Sequence, residues 1–431
     1  MSYLTAVEFL YGLHRHGIKL GLDTITELLV GLGHPERRFP SLHIGGTNGK
    51  GSTAAIAASI LQAAGYRVGL YTSPHLVDFC ERIQVGGAPI PEDCVAELTE
   101  RLRAAAEGAI DPTFFEFTTA MAFQHFADAG VDVAVVEVGL GGRFDATNVL
   151  TPVTSAITNV ALDHQEYLGR TIAAIACEKA GIIKSGVPVV VGRMDGEAAQ
   201  VIARVADERG APLRRLGREF WVEEDASARF RYVSREQAWD ALDCPLDGRH
   251  QLDNAACALA LLEVASERGV PVTEPAVREG LRQVRWEGRL ETVERRPWLV
   301  LDGAHNPAAA SVVASYVSEF RREHGGSRVI AVMGMMRDKE REEFFARLLP
   351  QTDEVIVTQA RVPRAAAPHE LSASAAACGR TAEVIADPHD ALALARRMAA
   401  PDDLILVTGS LMLVGEIKAL LRGCGLSPLR G

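Results

Sequence analysis

His43-Ile44-Gly45-Gly46-Thr47-Asn48-Gly49-Lys50-Gly51-Ser52-Thr53 decides how the rest of this 431-residue chain is read. A short apolar run, Pro40 to Ile44, precedes it, and an Ala-rich stretch, Ala54 to Ala64, follows it. That is the context of a strand, a Gly-rich turn and a helix start. Such a turn aims free backbone N–H groups and the positive end of a helix dipole at one point, which suits a phosphate. Lys50 adds a point charge near the terminal phosphates, and a hydroxyl close behind it can hold Mg²⁺. The general nucleotide-loop pattern wants Ser or Thr directly after the Lys, and here Gly51 intervenes before Ser52. An ordinary Gly-rich turn therefore stays open as the alternative.

The length predicts two or three domains at ~150 residues each. Hydrophobic residues make up 48% and charged residues 23%, as in a globular chain with a large core. The net charge is −11 and no basic stripe occurs, which argues against nucleic acid as a partner. ATP stays admissible, because local cations and metal ions can invert the field in a cleft. The Cys residues at 80, 94, 177, 244, 257, 378 and 424 form no C-x-x-C pair, so a zinc site or disulfide scaffold is not expected and a reducing compartment fits. Residues 1–8 show no charged segment followed by an apolar one, and no apolar run approaches 18 residues. The expectation is a cytoplasmic protein with no membrane partner.

Helix-like spacing runs over residues 3–32, and strands are expected at Pro40–Ile44 and Tyr66–Tyr71. Helices are expected at Pro91–Ala106, with Pro91 as the first helical residue, and at Thr113–Ala129. Val131–Val138 is a near-continuous β-branched run, the signature of a strand buried on both faces of a parallel sheet. Pro152–Thr158 and Val187–Val191 read as further strands, Thr171–Ala180 and 250–282 as helix, and 211–247 as a small antiparallel β region. From about residue 288, strands at 298–301, 328–332, 354–357 and 404–407 alternate with helices at 307–324, 339–348, 388–399 and 411–422, predicting a second open α/β sheet. The segment 361–369 reads as the least structured.

In open α/β sheets ligands sit beyond the carboxyl ends of strands, and there the unusual polar residues collect. Glu137 ends an apolar strand, a costly place for a carboxylate without a cation, and Mg²⁺ is the natural partner beside phosphates. Ser73 and His164 follow two other strands, and Asp302 and His305 follow the first strand of the second unit. Each has a bland alternative: a solvated strand end for Glu137, a structural imidazole for His164. For Lys179 the bland reading is a helix C-terminal cation, for Asn254 a helix cap, and for Arg289 a surface charge at the domain junction.

Taken in order, these segments resemble the folylpolyglutamate synthases and dihydrofolate synthases of the Mur-ligase group. The resemblance is carried by Gly46-Thr47-Asn48-Gly49-Lys50-Gly51-Ser52, Tyr71-Thr72-Ser73-Pro74-His75, Glu81-Arg82-Ile83, Glu137-Val138-Gly139-Leu140-Gly141-Gly142, Thr147-Asn148 and Leu162-Asp163-His164. It continues through Glu178-Lys179-Ala180-Gly181, Arg289-Leu290-Glu291, Asp302-Gly303-Ala304-His305-Asn306-Pro307 and Thr408-Gly409-Ser410-Leu411. Gly51, which broke the general pattern, is the form this branch uses. The resemblance implies an N-terminal P-loop ATPase domain (1–287) with a parallel central sheet and a small antiparallel β region. A C-terminal Rossmann-like α/β domain (288–431) would follow, with the active site between them. ATP would be held by Gly46, Thr47, Asn48, Gly49, Lys50, Gly51 and Ser52, with Asn254, Arg289, Asp302 and His305 contacting the nucleotide. Two Mg²⁺ ions would draw ligands from Ser52, Ser73, Glu137, His164 and a carbamate formed by CO₂ on Lys179. Lys50, Lys179 and His164 would carry the catalytic roles. Pro74, His75, Arg82, Phe115, Phe117, Asp163 and Ser410 would border the pterin substrate, Phe115 and Phe117 either stacking on the ring or serving as core.

The implied reaction joins L-glutamate to a pterin carboxylate, on dihydropteroate or a reduced folate, through an acyl phosphate, in a monomeric enzyme. No residue is assigned as general base for the amine. The alternatives are a synthase that only extends folates, another Mur-type amino-acid ligase, and a catalytically silent nucleotide-binding regulator. The second lacks support because the loop begins only about 45 residues in, leaving no room for a nucleotide-sugar domain. Intact Lys50, Glu137, His164 and Lys179 argue against the third.

Overall fold

Ser41–Gly45 forms strand β1, every residue of which is buried. The computed structural model describes residues 1–13, 21–107, 110–194, 196–225 and 229–427; the part of the expected 3–32 helical stretch that falls at 14–20 lies outside them. Strands β2 (Val68–Tyr71), β3 (Ile83–Val85), β4 (Ala88–Pro89), β5 (Val133–Glu137), β6 (Thr154–Ile157), β7 (Val189–Val191) and β8 (Leu213–Arg215) join β1 in one sheet, ordered β4-β3-β2-β5-β1-β6-β7-β8. Pairing is parallel from β2 to β8, and β3–β4 add an antiparallel hairpin at one edge. The chain leaves β1 toward β2 on one side, whereas it leaves β5 toward β6 on the other. The loops after these two adjacent strands part there, which opens a crevice at their carboxyl ends.

The unbroken apolar run at β5 now has its cause. Val133 and Val135 pack under the helices Lys50–Ala63 and His250–Glu267. Ala134 and Val136 pack under Tyr3–Gly12, Asp23–Gly31, Glu92–Ala106 and Phe114–Ala129 on the opposite face. Both faces are dry, so no polar alternation is possible. The register sets Glu137 beside Ile44, one residue before Gly45, so the strand's carboxylate ends level with the Gly-rich loop.

The expected antiparallel region is a three-stranded sheet of β9 (Phe220–Glu224), β10 (Phe230–Ser234) and β11 (Ala238–Leu242). Phe220, Phe230, Tyr232 and Trp239 bury its inner face in the same core as the helix His250–Glu267, while Trp221 points outward. The second sheet holds β12 (Glu291–Arg295), β13 (Trp298–Leu301), β14 (Val329–Met333), β15 (Glu354–Val357), β16 (Glu383–Val384) and β17 (Leu404–Thr408), ordered β12-β13-β17-β14-β15-β16. Only the β12 edge pairs antiparallel.

Several expectations need correction. Pro91 is extended (φ −60°, ψ 143°) and precedes the helix as its cap residue instead of opening it: the ring's φ suits either place, and the extended ψ puts it outside. The helix after the Gly-rich turn starts at Lys50, not Ala54, so the loop's own residues form its first turn. The 250–282 stretch is two helices, His250–Glu267 and Glu274–Gln283, parted by Gly269 in the left-handed region (φ +97°). The segment 361–369 is ordered: Val362, Ala365 and Ala366 are buried, Ala365 bridges Met336, and Pro368 opens a helix to Ala377. The helix Gly196–Glu208 and strand β12 were not expected at all.

Candidate active site

The Gly-rich loop is shaped by its neighbours before any ligand arrives. Gly49 caps the helix at φ +82°, and a Cβ there would lie 2.2 Å from Asn254 Oδ1. Gly51 lies within the helix, and its own Cβ would stand 2.8 Å from Trp286 Cζ2. The glycine that breaks the general nucleotide-loop pattern is therefore there to let Trp286 in, and the hydroxyl moves one place on to Ser52. The loop backbone is tied to the segment after β6. Asn48 N donates to Asn159 Oδ1 (2.9 Å), while Thr158 Oγ1 (2.6 Å) and Asn159 Nδ2 (3.0 Å) donate to Asn48 O. Sequence reasoning missed Thr158 and Asn159, although both lie at the carboxyl end of β6, where the same strand-end rule points.

One cavity of about 440 Å³ lies beyond these strand ends. It is lined by Gly46 to Ser52, Ser73, Glu137, Asp163, His164 and Lys179, and by Asn254, Arg289, Asp302 and His305 from farther along the chain. All the residues expected to meet nucleotide and metal thus face one space. Lys50 Nζ rests on Thr47 O at 3.1 Å. Glu137 is 5% exposed and accepts from Ser73 N at 3.0 Å. Burial raises its pKa, with Lys50 and the Ser73 amide opposing. His164 sits in the left-handed region (φ 49°), and burial pushes its pKa down to about 4, so the imidazole is neutral at pH 7. Lys179 is not a solvated helix-end cation. It is 4% exposed, donates to Gly46 O at 2.9 Å, and is drawn down to about 7 by burial and then by Lys50.

The donor set fits Mg²⁺. Among the described residues no three His, Cys, Asp or Glu side chains cluster as a metal cage. One buried carboxylate with two hydroxyls, completed by phosphate and water, is how Mg²⁺ is held. Asn254 is no cap: it lies inside the helix that starts at His250 and donates to Gln251 Oε1 at 2.9 Å. Asp302 ties the turn ahead of β12 to its own loop, accepting from Leu290 N and Ala304 N, both at 2.8 Å. His305 Nδ1 meets Gly303 O at 2.8 Å, and its Nε2 turns toward Asp163 Oδ2, 3.5 Å away.

A second cavity, about 680 Å³, adjoins the first and shares Ser73, Pro74, Gly139, His164, His305 and Leu411 with it. Arg82, Phe115, Asp145 and Ser410 line it, with the exposed rings of Phe144 and Tyr167 also on its wall. Ser410 also caps the helix Leu411–Arg422 through Leu413 N. Three residues expected to border the substrate have other partners in the structure. Phe117 is 1% exposed and packs edge-on against Phe9 in the core, because it lies on the inner face of its helix. His75 is 4% exposed, meets Tyr11 Oη at 3.2 Å and Arg82 Nε at 2.8 Å, and borders a smaller cavity of about 320 Å³ instead. Asp163 is taken by the second unit: Lys339 Nζ is 2.7 Å away, Asn306 Nδ2 3.2 Å and His305 Nε2 3.5 Å. Burial alone would raise its pKa, but the His305 and Lys339 contacts hold it well below the usual carboxylate range.

Asn306 also exchanges amide contacts with Asn48, its Nδ2 lying 3.0 Å from Asn48 Oδ1. The Gly-rich loop is thus wired directly to the helix Pro307–Glu323, which Asn306 caps. Asn306 and Lys339 were not singled out from sequence. An Asn-Pro pair before a helix is a cap signal, and Lys339 lies in the loop after β14, again past a strand's carboxyl end.

Comparison with known proteins finds relatives over nearly the whole chain. The family model of the Mur ligase middle domain matches residues 44–262, and that of the Mur ligase glutamate ligase domain matches residues 288–411. The chain is 34% identical to a Bacillus subtilis dihydrofolate synthase/folylpolyglutamate synthase over 98% of its own length and 99% of the relative's. It is 35% identical to a Lacticaseibacillus casei folylpolyglutamate synthase over 98% and 99%. Among solved structures, Escherichia coli FolC in complex with DHPP and ADP superposes with a TM-score of 0.89 at 33% identity, covering 98% of both chains. A Yersinia pestis bifunctional folylpolyglutamate synthase/dihydrofolate synthase complexed with AMPPNP and Mn ion gives 0.88 at 33%, again over 98% of both.

Proposed function

The chain belongs to the folylpolyglutamate synthase and dihydrofolate synthase family of Mur ligases, and we propose on that premise that it joins L-glutamate to a pterin-linked carboxylate at the expense of ATP, using both dihydropteroate and reduced folates as acceptors. The observation that carries this reading is the pair of adjoining cavities, one ringed by the Gly-rich loop, Glu137 and Lys179, the other partly aromatic, meeting at Ser73 and His164.

A carboxylate is a poor electrophile, so it must first gain a leaving group. Its oxygen attacks the γ-phosphorus of ATP, the bond from that phosphorus to the bridging oxygen breaks, and ADP leaves with the electron pair. The α-amine of glutamate then attacks the acyl carbon, phosphate departs, and the amine loses its proton. Lys50 and the loop amides at the helix N-terminus hold the triphosphate and meet the charge that develops on the transferring group. Ser52, Ser73 and Glu137 would hold one Mg²⁺. His164 and Lys179, the latter as its carbamate, would serve a second. The ions supply charge neutralisation at the phosphates. An amine that titrates near 7 presents the neutral nucleophile that CO₂ requires, which supports the carbamate. Phe115 offers a ring face to a flat heterocycle, and the enclosed seam keeps water from the acyl phosphate.

Pro74 and Arg82 are assigned to the acceptor, with Asn254, Arg289 and His305 on the nucleotide. We place the unit boundary at 287/288 and the working form as a monomer in the cytoplasm. Among the described residues no helix is long and apolar enough to cross a membrane. Incubation with ATP, Mg²⁺ and L-glutamate, followed by mass analysis of the pterin product, tests the function. A mass gain of one glutamate on each acceptor is expected, and no gain on either refutes it.

A further inference from the structure

Lys339 belongs to the C-terminal unit, yet its ammonium lies against the N-terminal one. Nζ is 2.7 Å from Asp163 Oδ1 and 3.4 Å from His164 Nε2, and the side chain is only 8% exposed. Lys339 lines the 680 Å³ cavity, and His164 lines both cavities. A buried cation therefore stands at the seam through which the acceptor's carboxylate must pass to reach the nucleotide.

We propose that Lys339 is a catalytic residue whose ammonium receives the acceptor carboxylate and presents it to the γ-phosphate. The inference rests on the acceptor reading given above. The first chemical step brings two anions together, and in a cleft poor in water their repulsion is strong. A fixed ammonium between them lowers that barrier without moving during the reaction. No proton is exchanged in the step: one carboxylate oxygen bonds to phosphorus, the bridging P–O bond breaks, and Lys339 stays an ammonium throughout. Asp163 does not use up this cation. Its carboxylate is shared with Asn306 Nδ2 and His305 Nε2, and the ammonium has three donors, of which Asp163 takes one and His164 Nε2 a second, leaving the third for the acceptor. Asp163 is then the positioning residue that aims Lys339, and because three of its partners come from the second unit, the cation reaches the seam only when the two units are together.

The test compares Lys339→Met, Lys339→Arg and Asp163→Asn with the wild-type enzyme. Two readouts are used: steady-state turnover, and scrambling of oxygen-18 from the β,γ-bridge of ATP with acceptor present and glutamate absent. Scrambling reports reversible acyl-phosphate formation alone. Lys339→Met should lose on the order of 10²-fold in kcat with either acceptor and lose scrambling in proportion, while equilibrium ATP binding moves less than about threefold. Lys339→Arg should recover part of both, and Asp163→Asn should lose less than Lys339→Met. Wild-type scrambling in Lys339→Met with only the KM for glutamate raised would put Lys339 on the incoming amino acid and overturn the proposal. So would turnover within about twofold of wild type, or a larger loss in Asp163→Asn. Wild-type enzyme inert with every acceptor would instead refute the function itself.

Discussion

Replacing Lys179 by Met should make the CO₂-free protein more stable while destroying its activity. The amine is 4% exposed, and burial, then Lys50, takes its pKa from 10.5 to about 7. Below pH 7 both the folded and the unfolded chain hold the proton, and the folded state bears the whole penalty of a buried ammonium. Between pH 7 and 10.5 the folded state has released the proton and the unfolded state has not, so stability climbs with pH. Above 10.5 the penalty is gone. At about 1.36 kcal/mol per pH unit the ceiling is roughly 5 kcal/mol. Losing the hydrogen bond to Gly46 O takes back about 1 kcal/mol. Allowing for relaxation around the amine, Lys179→Met should gain about 2–4 kcal/mol at pH 6, and the gain should vanish near pH 10. Urea unfolding of bicarbonate-free protein at pH 6, 8 and 10 measures this. A variant less stable than wild type at pH 6, or a gain that does not change with pH, would refute the reasoning.

Gly51→Ala should cost about 1–3 kcal/mol by driving a methyl against Trp286, and the added change Trp286→Leu should restore part of it, as thermal unfolding of the single and double variants would show. The two phenylalanines should behave oppositely. Phe117→Ala is expected to lose about 3–5 kcal/mol of stability, whereas Phe115→Ala should raise the acceptor KM and leave the KM for ATP unchanged. Asn48→Ala and Asn306→Ala should be non-additive in kcat/KM, with a coupling of about 0.5–1.5 kcal/mol in a double-mutant cycle. Lys179→Ala should lose turnover and regain part of it when a small carboxylate such as acetate is supplied.

Much of the fold was readable because the central strands are dry on both faces. β5 and β7 give near-continuous apolar runs that no other structure explains as simply, while β1 and β6 bury Ser41, His43, Thr154 and Ser155 among their apolar residues. β12 was missed because it is a half-buried edge strand, and its charged residues Glu291, Glu294 and Arg295 mask the alternation. The 361–367 segment misled for the opposite reason. Its alanines carry no period, yet small side chains are what a closely packed loop needs. The helix Gly196–Glu208 was overlooked although its sequence signals are present: Asp195 stands directly before Gly196, and Ala198, Ile202, Val205 and Ala206 recur at helical spacing.

The same division holds for the site. Ser73, Glu137, Asp302 and His305 were found because each follows a buried strand, and that position is local information. Lys339 and Asn306 do their work across the units, and nothing in a linear pattern says which loops of two sheets will face each other. Asp163 shows the cost of that blindness. Its motif marks it as part of the site, but only the structure shows that Lys339, Asn306 and His305 surround it, so that it ties the units together.

The central claim is that the two cavities exist to turn a carboxylate into an acyl phosphate. It is tested most directly by following oxygen. An acceptor whose carboxylate carries oxygen-18 is turned over once with ATP, Mg²⁺ and L-glutamate, and the inorganic phosphate is analysed by mass. One labelled oxygen per amide formed is the predicted result. Amide formation that leaves the phosphate unlabelled would contradict the account.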